Sequence, residues 1–264
     1  MQIATKPDKR IGVVSPVLQL PIEIGKIPLN LKFADMARFE SAGKRYSTFL
    51  SSDKKGLPVL VDLQGRTSLD GDPFTYDLDG ATVQLGEDQA EFQRVPHEYS
   101  LDSLIRILLS KLLLDRSGFL LHAASVLADG RAHVFTGRSG AGKSTVASLS
   151  PAGSVLTDEI SLLRCVETRW QAFGTPFWGE FRAGDMNCSA PISGIYSLIQ
   201  AKQDRLERIS PRDGLRVLLP NVLFFSSRKQ DNEQLLRILT DIVEAIPVYQ
   251  LYFRRHADFW KVIA

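Results

Sequence analysis

Residues 137–144 read Gly137-Arg138-Ser139-Gly140-Ala141-Gly142-Lys143-Ser144, with Thr145 next, and they fill the pattern G-x-x-x-x-G-K-S. The residue types suit one chemistry. Glycines let successive backbone N–H groups turn inward around an anion where Cβ atoms would obstruct them. A helix beginning near Lys143 would aim its positive end at the same place. In this pattern the lysine reaches the β- and γ-phosphates and the hydroxyl of Ser144 coordinates Mg²⁺. The sequence therefore predicts a nucleoside triphosphate site, for ATP with Mg²⁺, built from Gly137 through Thr145.

Acids follow. The interval from Lys143 to Asp158-Glu159 holds a short helix, a turn and a strand, which would put the pair at the carboxyl end of a strand beside the loop. A carboxylate there can hold Mg²⁺ or accept the proton of an attacking hydroxyl. Neighbouring residues on a strand point to opposite faces, so which acid is the base stays open. Glu180 and Arg182 sit two apart in Trp178-Gly179-Glu180-Phe181-Arg182-Ala183-Gly184. On an extended segment they share a face, as a Mg²⁺ acid beside a γ-phosphate guanidinium or as a plain ion pair. His122 interrupts the apolar run Phe119-Leu120-Leu121-His122-Ala123-Ala124. From its spacing alone it reads as a core histidine bonded to backbone.

Several elements must position these groups. Leu101, Leu104, Ile105, Leu108, Leu109, Leu112 and Leu113 recur at helical spacing. Phe119 to Ala128 and Ala132 to Thr136 read as apolar strands, and the Asp129-Gly130 between them signals a tight hairpin. The strand feeding the glycine loop is thus antiparallel to its predecessor, and the sheet is expected to be mixed. Lys143 to Ser150 reads as a short helix, Ser154 to Thr157 as a strand, Asn232 to Ile246 as a helix, and Val248 to Phe253 as a strand; a short final helix starts at Asp258. The stretch before Pro96 shows short β-type runs at Gly12 to Leu20, Leu57 to Leu63 and Thr75 to Leu85, the last with a hairpin at Asp79-Gly80. Helical patterns are scarce there. The expected organisation is an N-terminal β-rich domain over 1–96 and an α/β domain over 97–264.

Bulk properties narrow the function. Of 264 residues 44% are hydrophobic and 23% charged, with a net charge of +2. That balance gives no electrostatic case for nucleic acid or a membrane surface, and no apolar run reaches the ~18 residues of a transmembrane helix. The N-terminus lacks the apolar core of a signal peptide. Cys165 and Cys188, without CxxC spacing, read as reduced core thiols of a cytoplasmic protein. Homo-oligomer formation stays open.

Taken together, Leu121-His122-Ala123, the hairpin at Asp129-Gly130, the loop at Gly137 to Ser144, Asp158-Glu159 and Glu180-Phe181-Arg182-Ala183-Gly184 resemble the C-terminal catalytic domain of the HPr kinase/phosphorylase family over residues 101 to 220. The resemblance implies a mixed-sheet P-loop kinase core of the HPr kinase and phosphoenolpyruvate carboxykinase type. It implies that Lys143 handles phosphate, that Ser144 and Glu180 bind Mg²⁺, and that Glu159, with Asp158 alongside, is the proton acceptor. It also implies that His122 is an active-site histidine and that Arg212, in Ser210-Pro211-Arg212-Asp213-Gly214, matches a family arginine. The second acid is glutamate where that family has aspartate, and the glycine-rich stretch tied to its reverse reaction is not matched beyond Gly184.

The leading expectation is a kinase that moves the γ-phosphoryl group of ATP to a serine or other hydroxyl on a peptide or small protein. A kinase of a small hydroxyl metabolite and an ATP-binding regulatory module without transfer are the alternatives. A decarboxylating carboxykinase would need a transition-metal site, for which no His/Lys/Asp set stands out.

Overall fold

The computed structural model describes residues 17–63, 69, 72–96, 98–179 and 186–263. Two mixed sheets and the helices between and behind them make an α/β protein. The first sheet comes from β1 (Leu18–Ile24), β2 (Ile27–Phe33), β3 (Leu57–Val61), β4 (Phe74–Leu78), β5 (Ala81–Leu85) and β6 (Ala90–Gln93), in the order β1-β2-β3-β6-β5-β4. On β1, Leu20, Ile22 and Ile24 are buried while Gln19 is exposed, the period-2 pattern of a half-buried strand. At the β4–β5 turn Asp79 and Gly80 have φ of 49° and 86°, as a two-residue hairpin of the primed type requires.

Helix α1 (Met36–Arg45) lies in this region, where helical patterns are scarce. Its only fully buried residue is Ala42, so it carries no wide apolar stripe. Its start is set locally: Asp35 caps it, accepting from Arg38 N–H at 2.8 Å. Helix α2 (Glu98–Leu114) lies between the two sheets. Leu104, Ile105, Leu108, Leu109 and Leu113 are essentially inaccessible. At roughly 1.5–3 kcal/mol for each such side chain, packing rather than propensity holds it in place.

The second sheet runs through β7 (Gly118–Ala128), β8 (Arg131–Thr136), β9 (Val155–Thr157), β10 (Ile160–Val166), β11 (Arg169–Phe173), β12 (Ser189–Gln200), β13 (Arg205–Arg208), β14 (Val222–Leu223) and β15 (Val248–Phe253). Its order is β11-β10-β7-β8-β12-β15-β13, with β9 and β14 paired to β7. Strand β11 also pairs β12, so β7, β8, β12, β11 and β10 close into a ring. β7 and β8 form the expected antiparallel hairpin, turning at Asp129 (φ 50°) and Gly130 (φ 72°). β12 runs parallel to both β8 and β15. The carboxyl ends of these three strands therefore lie at one edge, where open α/β sheets place their ligands.

Helix α3 (Lys143–Leu149) follows the glycine loop. Helix α4 (Pro211–Leu218) holds Arg212; Ser210 caps it, accepting from Asp213 N–H, and Pro211 sits at its first position. Helices α5 (Lys229–Ala245) and α6 (Trp260–Ile263) complete the chain. Lys111 of α2 donates to Asp231 of α5 at 2.6 Å. Cys165 is half-buried and Cys188 exposed, so the expected core thiols are not both core residues. Among the described residues no helix is long and apolar enough to cross a membrane.

Candidate functional site

The glycine loop leaves β8 at Thr136 and enters α3 at Lys143. Gly137, Gly140 and Gly142 take φ of 148°, 76° and 115°, a region closed to most other residues. At Gly142 space matters as well: a Cβ there would lie 2.5 Å from Phe253 Cζ at the end of β15. The loop is also tied to the end of β12, where Gln200 Nε2 donates to Gly140 O at 2.8 Å.

Two cavities flank this loop. The first, about 450 Å³, is lined by His122, Ser139, Gly140, Gly142, Lys143, Ser144, Thr145, Asp158, Glu159, Gly179 and Arg255. The second, about 750 Å³, is lined by Gly137, Arg138 and Ala141, by the end of β12 and by Arg216, Val217, Pro220 and Asn221, and it shares His122, Ser139 and Gly140 with the first.

Lys143 is buried, and its ammonium donates to Gly137 O at 2.9 Å and Arg138 O at 3.4 Å. Burial lowers its pKa, and the charge of Glu159 partly offsets this. His122 is brought to the site by β7, whose carbonyl there accepts from Thr136 Oγ1 at 3.0 Å. Burial, then the charges of Lys143 and Arg106, lowers the imidazole pKa.

The acids sit at a break between strands. β9 pairs β7 at Ser125 and Val126, β10 pairs it from His122 backwards, and Asp158-Glu159 fills the gap. The main chain is pinned there: Ala123 N–H donates to Glu159 O at 3.0 Å. The break lets both acids line one cavity, which regular alternation would forbid. Asp158 is buried and its Oδ1 accepts from Gly179 N–H at 2.8 Å. Glu159 is more open, and Arg106 Nη2 lies 4.0 Å from its Oε2. Burial raises the Glu159 pKa, Arg106 opposes that rise, and Asp158 adds to it.

Arg106 and Arg255 escaped the sequence reading. Arg106 comes from α2, its guanidinium 5.0 Å from the Phe177 ring centroid. The signal was a lone charge within Leu104-Ile105-Arg106-Ile107-Leu108. Arg255 lies just past β15, in a basic Arg254-Arg255-His256 cluster. One turn before Arg106, Asp102 accepts from Arg45 Nε at 3.0 Å and from the Tyr46 hydroxyl at 2.5 Å. The Arg45 guanidinium stacks 3.6 Å from the Trp178 ring centroid. The N-terminal segment thereby packs against the stretch whose Gly179 holds Asp158.

Of the other sequence candidates, Arg212 lies exposed in the first turn of α4 and lines neither cavity; Arg216, one turn on, lines the second. Glu180 and Arg182 lie outside the described residues.

Residues 99–264 match the model of the family described as SynChlorMet cassette protein ScmC. The chain belongs to the ScmC family. This corrects the family expected from sequence: the match is to ScmC and to no HPr kinase family. The features behind that resemblance are a phosphate-type loop and nearby acids, and the same constellation recurs on unrelated proteins. The roles it implied for Glu180 and Arg212 lose that support in a ScmC protein. No curated protein matches the chain.

The Ser144 hydroxyl and the Asp158 carboxylate line one cavity. Hard oxygen donors of this kind fit Mg²⁺, which takes one or two carboxylates together with phosphate oxygens and water. Among the described residues no group of three or more His, Cys, Asp or Glu side chains forms a metal site by itself.

Proposed function

We propose that this ScmC protein is an ATP-dependent phosphotransferase acting on a hydroxyl of a peptide or small protein. One observation carries the reading: a glycine loop with its Lys143 and Ser144 shares a single cavity with Asp158 and Glu159. The loop and Lys143 bind the polyphosphate, and Ser144 and Asp158 hold Mg²⁺. When bound, Mg²⁺ neutralises charge on the β- and γ-phosphate oxygens.

Glu159 is the better base of the two. Asp158 is engaged by Gly179 N–H and is 3% exposed, while the Glu159 side chain is 36% exposed on the cavity wall. The acceptor O–H gives its proton to the Glu159 carboxylate as its oxygen bonds to the γ-phosphorus. The bond from that phosphorus to the β,γ-bridging oxygen breaks, and ADP leaves with the electron pair. Lys143 stabilises the charge spread over the transferring group.

The test is incubation with Mg²⁺ and γ-labelled ATP against peptide and metabolite acceptors. The family's description as a cassette protein makes polypeptides encoded beside the chain the first acceptors to try. Label on a peptide hydroxyl is the expected result. Label on metabolites only would select a small-molecule kinase, and tight binding without transfer or hydrolysis would leave a regulatory ATP-binding module.

A further inference from the structure

We propose that Arg255 is a phosphate-contacting residue of the nucleotide cavity, placed there by the two residues before it. The inference rests on the nucleotide reading above and adds to it a residue from the far end of the chain.

Three consecutive side chains at the end of β15 do three different things. Phe253 is buried and packs against Gly142, so the strand end abuts the glycine loop. Arg254 is clamped: its N–H donates to Asp204 Oδ1 at 2.7 Å, and its Nε and Nη2 donate to Asp204 Oδ2 at 2.9 and 2.7 Å. Asp258 lies 3.5 Å from the same guanidinium. Arg255 is then carried by a main chain fixed on its N-terminal side. It is exposed, lines the cavity with Ser144 and Thr145, and has no ion-pair partner among the described residues.

The position of the charges within the cavity, rather than their sum, favours a phosphate partner: Asp158 and Glu159 line it as well, but Arg255 pairs with neither. The lysine and arginine side chains of the cavity's described lining are Lys143 and Arg255. Lys143 is buried and spans the carbonyls of Gly137 and Arg138. Arg255 is the guanidinium that reaches the same space from solvent. A planar fork of N–H donors matches phosphate oxygens in a way an ammonium does not.

The experiment measures binding of Mg²⁺-ATP and of Mg²⁺-pyrophosphate to wild type, Arg255→Gln, Arg255→Lys and Lys202→Gln, with Lys202 as an exposed charge control that lines neither cavity. Arg255→Gln is expected to weaken both ligands about tenfold or more, as loss of a charged hydrogen bond does. Arg255→Lys should recover part of that loss, and Lys202→Gln should match wild type. The wild-type affinity should fall more steeply with salt than that of Arg255→Gln. Unchanged binding by Arg255→Gln overturns the inference and leaves the nucleotide site standing. Loss of ATP with pyrophosphate unaffected also overturns it, since the contact would then be to the nucleoside. If wild type binds neither ligand, the proposed function itself is wrong and the inference goes with it.

Discussion

Phe253 fills the space beside Gly142 that a side chain would need, its Cζ 2.5 Å from where a Cβ would stand. The last long strand of the fold thus sets the shape of the loop. Replacing Gly142 by Ala should be costly twice. The left-handed backbone alone costs about 1–2 kcal/mol for a residue with a Cβ, and the ring must also move. We expect a lower Tm and loss of most nucleotide affinity. In Gly142→Ala/Phe253→Leu the two changes should be less than additive, because the smaller side chain relieves the clash. Strict additivity in a thermal-melt cycle would show that the ring does not shape the loop.

Asp102 holds both Arg45 and Tyr46 in a largely buried cluster, the Arg45 and Asp102 side chains being 14% and 7% exposed. Removing one member of such a pair costs about 3–5 kcal/mol because the other charge stays buried. Asp102→Ala should therefore destabilise more than the double change Asp102→Ala/Arg45→Met. Urea titration of the four proteins in the cycle measures the difference. A double variant less stable than Asp102→Ala would contradict this account.

Burial alone would raise the Asp231 pKa, yet hydrogen bonds from Lys111 and Ser226 and the Lys111 charge hold it below the usual carboxylate range. A depressed folded pKa gives stability that is fully present above the unfolded value, near 3.9 for aspartate, and that is lost as pH falls through the folded one. Lys111→Met should thus lower Tm at pH 6 and 7. Wild type and variant should converge as the pH drops below about 4. A gap of constant size from pH 3 to pH 7 would assign the effect of Lys111 to packing.

Glu159→Gln keeps the shape of the cavity wall and removes the proposed proton acceptor. Transfer should fall about a hundredfold or more, the usual worth of general base catalysis, while Mg²⁺-ATP binding stays close to wild type. Asp158→Asn should instead weaken the Mg²⁺ dependence. Equal activity of Glu159→Gln and wild type would remove Glu159 from the mechanism.

Much of the frame around the loop is local in origin, and so it could be read from sequence. The β7–β8 hairpin is written in Asp129-Gly130 between apolar runs, and α2 in the spacing of its leucines. Helices α1 and α4 were missed because each is short and mostly polar, with capping by Asp35 and Ser210 as the local cue. The break that turns Asp158 and Glu159 to one side arises from how β9 and β10 share β7, a tertiary fact without a sequence signal. Arg106 approaches Glu159 from α2, and Arg255 lines the cavity from beyond β15, both far from the loop in sequence. Spacing rules cannot join them to it. The resemblance points to Arg212, whereas the fold brings Arg216 to the second cavity.

The parallel pairing of β15 with β12 also has a meaning in time. A chain made from its N-terminus completes the glycine loop, both acids and His122 well before it completes β15, which supplies Phe253 and Arg255. Parallel strands joined across a long sequence separation pair slowly. A nascent chain stalled before β15 would therefore carry the loop without Phe253 beside Gly142 and without Arg255 on the cavity wall.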